Sequence, residues 1–276
     1  MRPGARRLTG GRKRNRAGTP EANFPARQHD SLLKSEPQNC TGDPLMPNLA
    51  FDAPSIVVVP VDDGSGFPVR RVYCVGRNYV EHAKEMGFTG REPPFFFLKP
   101  ADAVMVVPAG QTGEMPYPPG TADLHHEIEL VVGIGQGGAN IKAADARKHV
   151  FGYAVGLDMT RRDLQGEAKK LGRPWEIGKA FDLSGPIGPM VRAANAGAID
   201  TAPITLKVNG QTRQQATIAE LIWNIDEIIE HLSNFWTLAP GDLIYTGTPA
   251  GVAAVGRGDR LEGAVGGVGE LSIVIK

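Results

Sequence analysis

The 276-residue chain predicts a β-rich α+β fold with few helices. Three observations carry this expectation. Glycine (35) and proline (22) together exceed a fifth of the residues and follow no period, which favours short strands and turns over long helices. Short apolar runs recur between Gly, Pro and Asp, the pattern of strands closed by turns. Only one stretch carries apolar residues at helical spacing over several turns.

Taken in order, residues 1–45 are rich in Arg, Gly and Pro and nearly lack apolar periodicity, so they read as a disordered basic tail. With nine Lys or Arg against four Asp or Glu, the tail carries +5 and the remainder −5 of a chain balanced at 30 and 30. An Arg-rich, acid-poor segment suits a nucleic-acid arm or a transit peptide. Against both, the folded pattern begins immediately after Met46 and the tail has no interleaved aromatics, which favours a true start at Met46. Residues 46–70 form a lead-in and 71–276 a single catalytic domain.

Within that domain, RVYCVG (71–76), PFFFLKP (94–100), EIELVVGIG (127–135) and VFGYAVGLD (150–158) read as strands. ITLKVNGQTRQ (204–214) reads as a hairpin, because Asn209-Gly210 supplies the two positive-φ residues of a type I′ turn. Ile218, Leu221, Ile222, Ile225, Ile228, Ile229, Leu232 and Phe235 recur at three- and four-residue steps, which predicts one helix from about Thr217 to Phe235 packed on the sheet. PGDLIYTGTPAGVA (240–253) is a strand ending in a Thr- and Gly-rich loop, and a Gly-rich hairpin closes the chain at ELSIVIK.

The overall neutrality points to no nucleic-acid or membrane-surface partner. Cys40 and Cys74 alone make neither a disulfide framework nor a thiolate metal site. With no apolar run near the roughly 20 residues that span a bilayer, and no apolar leader, a soluble cytoplasmic protein is expected.

The stretch LHHEIELVV (124–132) is the most informative for chemistry. Alternation along a strand puts Glu127 and Glu129 on one face and Ile128 and Leu130 on the other. If that face is solvated, the pair is an ordinary edge strand. If it is partly buried, two ionised carboxylates need a cation, and hard oxygen ligands suit Mg²⁺, Mn²⁺ or Ca²⁺. Asp158, at the exit of YAVGLD, adds a third carboxylate where a strand end can meet an open pocket. His125 shares the face of the glutamates as a fourth ligand or a neighbour of the ligands. His126 faces the other way, as a packing histidine.

Four further features complete the set. In GRNYVEHAKEMG (76–87), His82 and Glu85 lie three apart on a helical turn, where a carboxylate orients an imidazole for proton transfer. Lys99 and Lys179 sit in apolar surroundings, either snorkelling to solvent or facing an anion. Arg161, Arg162 and Gln165 follow Asp158 at spacings that aim one or two of them at the pocket, suited to carboxylate recognition. Gly133, Gly135 and Gly138 spell G-x-G-x-x-G after a strand, the fingerprint of a dinucleotide-binding oxidoreductase. Two observations weigh against this last reading: the strand carries glutamates, and the helical pattern AADARKHV begins several residues after the final glycine.

The runs CVGRNYVEHAKEMG, PPFFFLKP, LHHEIELVV, GLDMTRRDLQ, GRPWEIGKAFD and GDLIYTGTPAGV, in this order, resemble the fumarylacetoacetate hydrolase family over about residues 70–276, nearest to its fumarylpyruvate hydrolase and acylpyruvase branch. The resemblance implies a mixed β-sandwich roll and a homodimer. It implies Glu127, Glu129 and Asp158 as Mg²⁺ or Mn²⁺ ligands, and His82 with Glu85 as the dyad that activates water. It places Lys179, Gln165, Arg162 and Thr248 around the substrate, with Lys179 or the 246–248 loop stabilising an oxyanion. The activity it implies is hydrolysis of a carbon–carbon bond in a 2,4-dioxo acid, fumarylpyruvate first, with Arg77, Lys99 or Arg161 meeting the distal carboxylate. Acylpyruvate hydrolase, oxaloacetate decarboxylase and dienedioate isomerase or decarboxylase are the alternatives within the family.

Overall fold

A strand buried along its whole length belongs at the centre of a sheet covered on both faces. Ile128–Ile134 is such a strand. In the computed structural model, which describes residues 49–81 and 91–276, it is the middle strand of the main sheet. The strand order is Phe95–Lys99, Val72–Gly76, Leu243–Tyr245, Ile128–Ile134, Val150–Leu157, Gly185–Ile187 and Val104–Val106, with Val191–Arg192 pairing beside Val150–Leu157. The sheet is mixed. Ile128–Ile134 runs antiparallel to both neighbours, whereas Leu243–Tyr245 is parallel to Val72–Gly76 and Gly185–Ile187 to Val104–Val106.

Each face is covered by a different core. On one face Ile128, Leu130 and Val132 pack with Leu206, Leu261 and Ile273 of a five-stranded sheet. The approach is close: a Cβ at Gly263 would lie 2.5 Å from Ile128 Cδ1, so a larger residue there would have to displace that terminal methyl. On the other face Val131, Ala154 and Leu243 pack with Val59, Phe67 and Met190. The β-rich expectation holds. Every described strand and helix lies within Pro54–Lys276.

The hairpin forms as predicted, with Asn209 at φ 52° and Gly210 at φ 76° between the strands Pro203–Val208 and Gln211–Thr217. The single helix over 217–235 does not. A 3₁₀ turn occupies Ile218–Glu220, Leu221 is extended at ψ 130°, and an α-helix spans only Ile225–Ser233. Two capping boxes, Thr217 with Glu220 and Asn224 with Glu227, each start their own helix and divide the stripe. Phe235 falls outside the stripe and is 70% exposed. An unpredicted α-helix, Arg162–Leu171, ends on Gly172 at φ 61°.

The dinucleotide reading fails on topology. The strands before and after Gly133, Gly135 and Gly138 pair antiparallel, which excludes a βαβ unit, and the segment between them is a 3₁₀ helix, Ala143–His149. No described helix is long and apolar enough to cross a membrane.

Candidate functional site

Strand alternation assembles the site. On the main sheet Glu129 shares a face with Val131, Asp158 follows Ala154 and Gly156 on the adjacent strand, and Lys99 follows Phe97. All three polar groups therefore stand on the face that carries Cys74 and Tyr245, at one end of its apolar core. One carboxylate oxygen from each of Glu127, Glu129 and Asp158 lies within 4.8 Å of the others. The three residues are 5%, 2% and 1% exposed, which rules out a solvated edge strand.

The strand is interrupted just before Glu127. Leu124–His125 belongs to a separate three-stranded sheet with Thr160–Arg161 and Ala254–Val255, which corrects the expected continuous run. His125 accordingly turns away, its Nε2 2.8 Å from Asp123 Oδ1, and the acidic group has three members among the described residues. His125 is not a fourth ligand. His126 is fully buried against Gln214 as a packing residue.

Two lysines interlock behind the carboxylates. Lys179 Nζ donates to Glu127 Oε2 at 2.8 Å, Asp158 Oδ2 at 2.6 Å and Thr160 Oγ1 at 2.7 Å. All three of its protons are thus engaged. Lys99 Nζ donates to the Lys179 carbonyl and to Ser184 Oγ and stands 2.8 Å from Asp158 Oδ1. Neither lysine snorkels, since each is 2% exposed. Burial alone would lower the Lys179 pKa, but the charges of Asp158 and Glu127 outweigh it and hold the ammonium above its usual value. Glu129 moves the opposite way for a carboxylate: burial, then Asp158 and Glu127, push its pKa well up, against one backbone N–H from Gly247 at 2.7 Å.

A recess of about 330 Å³, counting its open mouth, faces this group. Among its lining residues are Arg77, Arg162, Gln165, Trp175, Lys179 and Thr248 with the three carboxylates. Arg162 spends its guanidinium on Glu127 Oε1 and on Gln165 Oε1, the latter at 2.6 Å. Arg77 follows the strand Val72–Gly76 in the left-handed region, φ 59°, with its guanidinium carbon 5.3 Å from the Phe95 ring centroid and 5.8 Å from that of Trp175. Burial lowers its pKa. Lys99 and Arg161 do not line the recess. Lys99 is spent behind Asp158, and Arg161 bonds the Ile177 carbonyl at 3.3 Å with its guanidinium 4.4 Å over Phe181. His82 and Glu85 lie outside the described residues, as does the tail over 1–45.

Sequence reasoning passed over three residues. Gly247 holds Glu129 through its N–H, and a Cβ there would sit 2.7 Å from Asn78 Cβ. Buried Asn78 donates to the carbonyls of Thr246 at 2.8 Å and Trp223 at 2.9 Å, which fixes that loop. Gln214 bonds Thr248. The sequence does not mark it, because a register shift between Leu206 and Lys207 brings Gln214, and not Arg213, opposite Leu206.

The donor set fits a hard divalent cation. Three buried carboxylates converge, Glu129 is costly to ionise without a further positive charge, and Asp158 Oδ1 accepts no well-directed hydrogen bond although Lys99 is close.

Residues 71–276 match the fumarylacetoacetate (FAA) hydrolase C-terminal family. The chain belongs to this family and is an enzyme of its hydrolase class. It is 44% identical to a fumarylpyruvate hydrolase of a Ralstonia species over 184 residues, 67% of this chain and 93% of that protein. An oxaloacetate tautomerase of Escherichia coli is 42% identical over 196 residues, covering 71% and 88%. The fold superposes on the crystal structure of fumarylpyruvate hydrolase from Pseudomonas aeruginosa in complex with Mn²⁺ and pyruvate, with a TM-score of 0.81 and 55% identity over 83% of this chain and 99% of that one.

Proposed function

We propose that the chain hydrolyses a carbon–carbon bond of a 2,4-dioxo acid, fumarylpyruvate foremost, releasing fumarate and pyruvate. The observation that carries this reading is the charge balance of the recess. Three cations, Lys99, Lys179 and Arg162, stand against the three carboxylates, paired with Glu127 and Asp158 and not directly with Glu129. A divalent cation held by the three carboxylates therefore leaves a positive surplus in the recess, which is suited to a dianion. The fumarylpyruvate hydrolases at 44% and 55% identity support the same substrate.

When bound, Mg²⁺ or Mn²⁺ supplies Lewis-acid polarisation of the 2-oxo carboxylate. The protein's own residues do the rest. Lys179 keeps Glu127 and Asp158 in place and presents its charge to the recess wall. The proton of the attacking water is assigned to His82 acting with Glu85, both outside the described residues. The Thr246–Thr248 loop fixes Glu129 through Gly247 and offers the Thr248 hydroxyl.

A second reading, keto–enol interconversion of oxaloacetate, is favoured by the tautomerase at 42% identity. It needs the carboxylates and a proton-transfer group but no nucleophilic water. Turnover of fumarylpyruvate, maleylpyruvate, acetylpyruvate and oxaloacetate with Mg²⁺ or Mn²⁺ separates the two. Fumarate and pyruvate in equal amounts, lost in chelator, are expected. Enol conversion of oxaloacetate without cleavage of any dioxo acid would replace the hydrolase reading, and full activity in chelator would remove the metal.

A further inference from the structure

Gln214 reaches the recess from behind, and its polarity is fixed at both ends. Its side chain, 1% exposed, comes from the hairpin strand Gln211–Thr217. Its Oε1 accepts from the backbone N–H of Ile128 at 3.1 Å and meets His126 Nδ1 at 2.9 Å. Its Nε2 donates to Thr248 Oγ1 and to the Pro249 carbonyl, both at 2.8 Å. A backbone N–H only donates and a backbone carbonyl only accepts, so the amide cannot be turned end for end without two mismatched contacts.

The consequence falls on Thr248. Its oxygen already accepts on the buried side, and among the described residues its hydroxyl makes no other hydrogen bond. Its one proton is then left for the recess, where it stands among the lining residues with Glu127, Glu129 and Asp158. We propose that Gln214 is a positioning residue that makes Thr248 an obligatory hydrogen-bond donor to an oxygen of the bound 2-oxo acid. This rests on the dioxo-acid reading given above. Without the Gln214 donor the hydroxyl is free to turn its proton inward and present lone pairs to an anionic substrate, which repels it.

A double-mutant cycle tests this on the Mn²⁺-loaded enzyme with fumarylpyruvate, with Mn²⁺ affinity measured alongside by calorimetry. Thr248→Val and Gln214→Met are each expected to lower kcat/KM about tenfold or more. The double variant should fall no more than about twofold below Thr248→Val, because both remove one interaction. Thr248→Ser should recover most of what Thr248→Val loses. Losses that multiply, a Gln214→Met enzyme equal to wild type, or a parallel fall in Mn²⁺ affinity would overturn the proposal, the last because Gln214 would then act through the glutamates. If Gln214→Met does not fold, Gln214→Glu takes its place, since it keeps an acceptor for Ile128 N–H and lacks the donor toward Thr248. Wild-type inactivity on dioxo acids would overturn the substrate reading, whereas wild-type activity with additive losses would overturn the positioning role alone.

Discussion

Lys179 Nζ lies 2.6 Å from Asp158 Oδ2, and the same ammonium reaches Glu127, so one buried cation holds two of the three carboxylates. Removing one partner of a buried ion pair leaves an uncompensated charge, which costs about 3–5 kcal/mol. Lys179→Met should therefore lower the stability of the metal-free protein by an amount of that order. A divalent cation offsets the lost charge, so saturating Mn²⁺ should raise the Tm of the variant more than that of the wild type. Equal Mn²⁺-induced shifts in thermal denaturation would show that Lys179 and the cation do not share these carboxylates.

Glu129 separates stability from function. Burial and two neighbouring carboxylates make its ionised form costly, so Glu129→Gln, of the same shape and neutral, should leave the metal-free protein at least as stable as wild type at neutral pH. The same change removes a ligand, and Mn²⁺ affinity measured by calorimetry should fall by at least about 10²-fold, beyond the loss typical of an outer-shell change. Retained affinity would take Glu129 out of the cation site.

The pH dependence follows from the same residue. Its folded pKa is raised above the usual 4.5, so across the interval between the two values the native state binds more protons than the unfolded one. Stability then falls as pH rises through that interval. In chelator the Tm should decline above the ordinary carboxylate range. With Mn²⁺ present, binding must displace the proton, and the decline should flatten. Calorimetry in two buffers of different ionisation enthalpy reads the released proton directly. A chelated enzyme whose Tm rises over this interval would contradict the sign.

The sheet, the hairpin at Asn209-Gly210 and the convergence of Glu127, Glu129 and Asp158 were legible because period-two alternation and turn chemistry are local properties of the chain. The long helix over 217–235 was misread because its apolar stripe spans two separately capped elements, and the caps at Thr217 and Asn224 carry the boundary that the stripe conceals. Lys99, Arg161 and His125 were misplaced for another reason. Their partners, Asp158, Phe181 and Asp123, are set by packing between elements, and residue spacing says nothing of that. Gln214 was legible only once the register was known, since a polar residue opposite Leu206 becomes notable when that position is seen to point inward.

Arg77 tests the choice of acid. A non-glycine residue at φ 59° costs about 1 kcal/mol or more and persists where surrounding contacts hold it. Here the contacts include the Phe95 and Trp175 rings, beside which the guanidinium lies in the recess wall. Arg162 is held in the same lining by Glu127 and Gln165, and the recess-wall position of Arg77 puts its charge where a second substrate carboxylate would be tested against it. A charge-assisted hydrogen bond is worth about 1.5–3 kcal/mol, or about 10- to 100-fold in binding. Arg77→Met should accordingly raise KM for fumarylpyruvate by about that factor and change KM for acetylpyruvate, which has no distal carboxylate, by less than about twofold. Equal losses on both substrates in steady-state kinetics would move Arg77 from selecting the distal acid to shaping the recess for any dioxo acid.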